Sequence, residues 1–114
     1  VCTNKRESLS RLLLDRLNMT SRFKAIAGRD TFPVCKPDPR HLTGAIALAA
    51  GDTRRAVMIG DSGIDIATAK AAGVPVVAVS FGYTERHVRE FDPDMVIDHY
   101  DELVQAIARV RPGL

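Results

Sequence analysis

The stretch Val57-Met58-Ile59-Gly60-Asp61-Ser62-Gly63-Ile64-Asp65 carries the clearest chemical signal in the chain. An apolar run ends in Gly-Asp, and a second aspartate follows four residues later. A buried parallel strand ends in this way at a sheet mouth where carboxylates hold a cation. Two close carboxylates raise each other's pKa unless a cation sits between them. A hard dication such as Mg²⁺ takes one or two protein carboxylates, keeps waters and completes its shell with phosphate oxygens. The Ser62 and Gly63 amides, at a helix start, suit an anion. Thr3 offers a hydroxyl for phosphoryl oxygens, and Lys36 a mobile charge that offsets crowded negative groups. Thr3, Lys36, Asp61 and Asp65 together read as a Mg²⁺-assisted phosphoryl site, where catalysis is mostly positioning and charge stabilisation. Singly they mean little: a Gly-Asp turn caps helices, a first-turn acid suits the helix dipole, and a lysine before proline is usually a surface charge. The signal lies in their combination.

Those residues need elements to bring them together. Val1 to Thr3 reads as the end of a strand. Leu9, Leu12, Leu13 and Leu17 recur at helical spacing, so Glu7 to about Leu17 is expected to be a helix. Phe23 to Ala27 alternates like a strand and stops at Gly28. Residues 28–39 form a loop broken by Pro33, Pro37 and Pro39. A helix is expected over Pro39–Ala50, with Asp38 as its cap and Gly51 at its end. Strands follow at Ala56–Ile59, Val74–Val79 and Met95–Ile97. Helices are expected at Ser62–Ala72, Thr84–Phe91 and Asp101–Val110, the last capped by Tyr100 or Asp101. Alternating strands and helices predict a mainly parallel sheet with helices on both faces. Ligands bind at the carboxyl ends of strands in such sheets, where Thr3, Lys36 and Asp61 would meet.

Composition narrows the classes. With 114 residues the chain is one small domain. Aromatics are only 5% and Trp is absent, so the core must be aliphatic. A net charge of +2, with basic and acidic residues interspersed, argues against a nucleic-acid partner. No apolar run reaches the roughly 20 residues that span a bilayer, and no signal peptide is visible at Val1-Cys2-Thr3. Cys2 and Cys35 have no metal-ligand spacing and read as reduced thiols of a cytoplasmic protein. His41, His87 and His99 are not spaced as metal ligands and read as surface or boundary residues.

Val1-Cys2-Thr3-Asn4-Lys5, Cys35-Lys36-Pro37-Asp38-Pro39 and Gly60-Asp61-Ser62-Gly63-Ile64-Asp65 resemble the second, third and fourth motifs of the haloacid dehalogenase superfamily, in its phosphoglycolate-phosphatase-like branch. Ala69-Lys70-Ala71-Ala72-Gly73, and Pro93 to Asp98 followed by Glu102-Leu103, match that branch too, so the resemblance covers essentially the whole chain. It implies an α/β fold, a three-layer doubly wound and mainly parallel sheet, of which residues 1–114 are an incomplete, C-terminal portion of the core domain. It implies that Thr3, helped by Asn4, binds the transferring phosphoryl group. Lys36 would orient and neutralise that group, Asp61 would ligate Mg²⁺, and Asp65 would support the metal's shell. Gly60 would let the backbone approach closely.

The resemblance also exposes a gap. The superfamily's reaction begins with an aspartate nucleophile in an Asp-x-Asp motif after an apolar strand, followed by a cap that selects substrate. Asp92-Pro93-Asp94 has the letters but follows a charged segment and precedes a strand instead of ending one. The nucleophile is therefore expected upstream of Val1, on a strand between those carrying the second and fourth motifs. The expectation is a Mg²⁺-dependent phosphatase of a small phosphorylated metabolite, with 2-phosphoglycolate the first guess. The fragment alone would be inactive, and unstable or self-associating through exposed sheet edges. The alternative is a non-catalytic phosphate- or metal-binding fragment that needs a complementing chain. A signalling receiver domain is disfavoured, because there the acidic pair comes first and lysine last.

Overall fold

Val76–Val79 is buried along its whole length, and a strand buried on both faces needs a layer of helices on each side. In the computed structural model, which describes residues 1–82, 84 and 86–114, this run is the middle strand of a three-stranded parallel sheet. The strands are β1 (Met58–Gly60), β2 (Val76–Val79) and β3 (Met95–Ile97), ordered β1-β2-β3. Ile59 lies opposite Val77, and Ala78 opposite Val96. The helices are α1 (Glu7–Arg16), α2 (Pro39–Leu48), α3 (Gly63–Ala72) and α4 (Leu103–Val110).

Side chains alternate across a strand, and this divides the core in two. Val76 and Ala78 pack with Leu42 of α2 and Ile66 and Ala69 of α3. Val77 and Val79 pack with Ile97 and with Ala106 of α4. Each fully buried valine contributes about 1.5–3 kcal/mol of transfer free energy. The expected three-layer α/β architecture with a parallel sheet is therefore present.

The termini of α3 show why it forms where it does. The Ser62 side chain caps its start. Gly73 closes it at φ 68, in the left-handed region that costs glycine little.

Several elements differ from the sequence reading. Phe23–Ala27 does not extend a sheet strand. Instead Val1–Thr3 runs alongside it through one parallel bridge, Cys2 to Ala27, with Ala27 N donating to Val1 O at 2.8 Å and Thr3 N to Ala27 O at 3.0 Å. The helix expected over Thr84–Phe91 is a single 3₁₀ turn at Val88–Phe91, and Glu85 lies outside the described residues. The last helix begins at Leu103, with Glu102 rather than Tyr100 or Asp101 at its cap position and no side-chain cap bond; His99 caps the 3₁₀ turn Tyr100–Glu102 that leads into it. His99 Nδ1 accepts from Asp101 N, and Glu102 reaches back to His99 N, forming a capping box. The leucine stripe of α1 is the largest difference. Leu9, Leu12, Leu13 and Leu17 stand about half exposed while Ser10 is buried. Spacing predicts a face, but what covers it depends on other segments.

An apolar cavity of about 470 Å³ is bordered by Val1, Cys2 and Phe23 from the first pair of segments, by Val57, Met58 and Ile59 around β1, and by Leu42 and Ala45 of α2. No described helix is long and apolar enough to cross a membrane.

Candidate active site

β1 ends at Gly60, and the next two residues turn the chain into α3. Asp65 sits in the first helical turn and its carboxylate folds back to close that turn. Oδ2 accepts from the Asp61 amide at 3.0 Å and from Ser62 Oγ at 3.1 Å, while Ser62 Oγ accepts from the Asp65 amide at 3.3 Å. Gly60 is required by closeness: a Cβ there would lie 2.4 Å from Asp65 Cβ and 2.6 Å from its Oδ2.

The other oxygen, Oδ1, receives Lys36 Nζ at 2.5 Å. The two side chains are only 10% and 9% exposed, so this is a charge-assisted bond in a weakly screened setting. Lys36 comes from a distant loop, ahead of a cis peptide to Pro37, and its backbone is clamped on two sides. Asn4 Nδ2 donates to Lys36 O at 3.0 Å, and Asn4 Oδ1 accepts from Lys36 N at 3.1 Å. The same Lys36 N–H also points at His41 Nδ1, at 3.0 Å.

A cavity of about 400 Å³ opens beside these groups. Lys36, Asp61 and Asp65 line it together with Cys2, Gly60 and Gly82. Phe81 and Tyr100, edge to face at 4.9 Å between ring centres, form an aromatic wall. Asp61 is half-buried at this mouth. Gly82 lies so near that a Cβ on it would fall 2.2 Å from Asp61 Cβ.

The structure thus brings Asn4, Lys36, Asp61 and Asp65 to one place. Thr3 lies on the neighbouring segment end, half-buried, with its Oγ1 accepting from the Lys5 amide at 3.1 Å. A hydroxyl that accepts still has its own proton to donate, so Thr3 keeps the capacity to bind an oxyanion.

Asp92-Pro93-Asp94 lies at the opposite end of the strands. Asp94 Oδ2 accepts from the amide of Val76, the first residue of β2, at 2.8 Å. That contact anchors a strand start and leaves the pair away from the mouth.

His41, whose sequence context predicts a surface or boundary residue, belongs to this site. The ring is fully buried. Burial pushes its pKa below the ordinary histidine value, and the nearby Lys36 charge adds to that. The only sequence hint is its place five residues after Lys36. Phe81, Gly82 and Tyr100 also line the mouth without any motif to mark them.

The donor set suits a hard cation. Among the described residues no cluster of three or more His, Cys, Asp or Glu could hold a metal, but Mg²⁺ needs only one or two carboxylates besides water and phosphate oxygens. Burial raises the Cys2 thiol above its ordinary value. Asp65 already accepts three hydrogen bonds. Its bond from the Asp61 amide holds the turn that brings Asp61 to the mouth.

The sequence profile of haloacid dehalogenase-like hydrolases matches residues 1–79. The chain belongs to this family. A phosphoglycolate phosphatase of Mesorhizobium japonicum is 61% identical to it over 108 residues, 95% of this chain and 48% of that protein. One from Agrobacterium fabrum is 48% identical, over 94% of this chain and 46% of its own length. The crystal structure of a predicted phosphoglycolate phosphatase from Haemophilus somnus 129pt superposes with a TM-score of 0.86 at 24% identity, over 93% of this chain and 48% of that one. At that identity the superposition speaks for the fold. The chain spans about half the length of the curated relatives it matches.

Proposed function

We propose that the whole protein is a Mg²⁺-dependent phosphatase of a small phosphate monoester, with 2-phosphoglycolate the first candidate, and that it acts through a phosphoaspartate whose aspartate lies outside this chain. The observation that carries this reading is the buried Lys36–Asp65 pair beside Asp61 at the mouth of the parallel sheet. The names of the relatives support the substrate class.

In this reading Thr3 and Asn4 receive phosphoryl oxygens. Lys36, fixed by Asp65 and by Asn4, offsets charge on the transferring group and its nucleophile. Asp61 holds Mg²⁺, directly or through water, and Asp65 supports it. Mg²⁺, when bound, would neutralise charge that develops on the phosphoryl oxygens. The apolar cavity between Cys2 and Ile59 is where the resemblance puts the nucleophile strand. The 114-residue chain alone is accordingly inactive, and its uncovered strand edges favour self-association. A protein of this kind works in the cytoplasm.

The same cavity also favours a second reading, in which this chain is a non-catalytic half completed by another polypeptide. One experiment separates the two. The chain is expressed with the coding sequence upstream of Val1 and assayed with 2-phosphoglycolate, with and without Mg²⁺. Turnover that needs Mg²⁺, and a large loss in Asp61→Asn, are expected. An upstream sequence without an apolar strand ending in Asp-x-Asp would refute the enzyme, and unchanged turnover of Asp61→Asn would remove Asp61 from the site.

A further inference from the structure

The buried histidine joins the two arms of the site. His41 Nδ1 faces the Lys36 backbone N–H at 3.0 Å, and Nε2 faces the Ala27 carbonyl at 3.3 Å. An amide N–H only donates and a carbonyl only accepts. The ring must therefore be neutral, with its proton on Nε2. The Ala27 carbonyl also accepts from Thr3 N at 3.0 Å. One imidazole thus links the segment bearing Thr3 to the segment bearing Lys36. The edge of Phe32 packs against the ring, 6.1 Å between centres and 74° between planes.

We propose that neutral His41 is a positioning residue that sets Lys36 against the phosphoryl site, and that its protonation releases that arm. This rests on the phosphatase reading for the role of Lys36. The groups facing the ring are the Lys36 amide from the loop, the backbone of Ala27 and Gly28, and Phe32. Lys36 itself is the neighbouring charge, its ammonium directed to Asp65 of α3. Asn4, on the Thr3 side, shares the Lys36 N–H and carries no charge. A proton on Nδ1 would remove one of the two acceptors of the Lys36 N–H, leaving Asn4 Oδ1, and place a second cation close to Lys36. Burial and Lys36 both oppose that charge, so the neutral form prevails at neutral pH and acid overcomes it.

The test uses the protein expressed with its upstream coding sequence. In His41→Asn the side-chain oxygen stands near the place of Nδ1 and still accepts from Lys36 N. In His41→Leu the volume is filled without an acceptor. A misplacement of about 1 Å costs on the order of 10²-fold in rate, so kcat is expected to fall about that much in His41→Leu with KM little changed. His41→Asn is expected to recover most of it, and to show an acid limb of kcat/KM one proton less steep than the unsubstituted protein. Long-range nitrogen NMR of the unsubstituted protein is expected to find Nε2 protonated and Nδ1 bare at pH 7.5.

A proton on Nδ1, or a folded His41→Leu with unchanged kcat, would overturn the proposal. If His41→Leu does not fold, the tautomer and the acid limb of His41→Asn decide. Absence of turnover in the unsubstituted protein would count against the phosphatase reading alone. The tautomer, and the shift of the Lys36 amide signal when His41→Leu removes one of its two acceptors, would then support or overturn the positioning role.

Discussion

Asp65→Asn tests the site at its buried ion pair. The substitution removes a charge and almost no volume. The amide oxygen can still accept from the Asp61 amide and Ser62, so the turn into α3 keeps its closure. What is lost is the ion pair: Lys36 Nζ sits 2.5 Å from Asp65 Oδ1, with the lysine side chain 10% exposed. At an effective dielectric of about 20, two unit charges at that distance attract by about 7 kcal/mol before desolvation is subtracted. Breaking a buried pair by deleting one partner costs about 3–5 kcal/mol, because the remaining charge is stranded. Much of a typical domain's stability of about 5–15 kcal/mol is at stake. The assay is urea unfolding at pH 7, followed by circular dichroism, of the protein extended upstream of Val1. A double-mutant cycle with Lys36→Met should recover part of the loss, with a coupling of about 2 kcal/mol or more, since contacting charges couple by about 0.5–3 kcal/mol. A single loss under about 1 kcal/mol, or strictly additive effects, would show that the pair is solvated and that Asp65 does not hold the lysine.

Three further outcomes follow from the geometry. Gly60→Ala forces a methyl within 2.4 Å of Asp65 Cβ; a cost of about 1–3 kcal/mol for overpacking and a fall in turnover are expected, and a variant as stable and active as the parent would show the approach to be looser than drawn. His41 is held below its ordinary value of 6.5, so the native state binds fewer protons than the unfolded chain in mild acid. Its contribution to stability is complete above pH 6.5 and is lost as pH falls towards the lowered value; urea midpoints of the parent and His41→Asn between pH 5 and 8 should show the parent losing more on the acid side, and parallel curves would contradict it. Sedimentation of the 114-residue chain alone should show species above the 12.4 kDa monomer, reduced by Ile59→Lys on the outer strand β1, whereas a clean monomer would refute the exposed-edge argument.

Some of this was legible in the chain because it is local. Gly60, Asp61, Ser62 and Asp65 lie within six residues, and a strand–turn–helix of that length can fold back on itself in few ways. The β2 run, apolar and β-branched, announced burial on both faces. The leucines of α1 show where locality ends: their spacing gave the helix correctly, but the residue it buries is Ser10.

Sequence by itself determined the family, through motifs whose order is specific, and the alternation of elements that makes a parallel sheet. Only the tertiary structure decided which atoms meet. Asn4 and Lys36 clasp each other across 32 positions, and a histidine with no motif about it closes the link between them and Ala27. Such contacts depend on how distant segments pack, and a buried polar ring is stable only where its partners are supplied on both sides. Spacing along a chain cannot encode that, because each partner arrives from a different element.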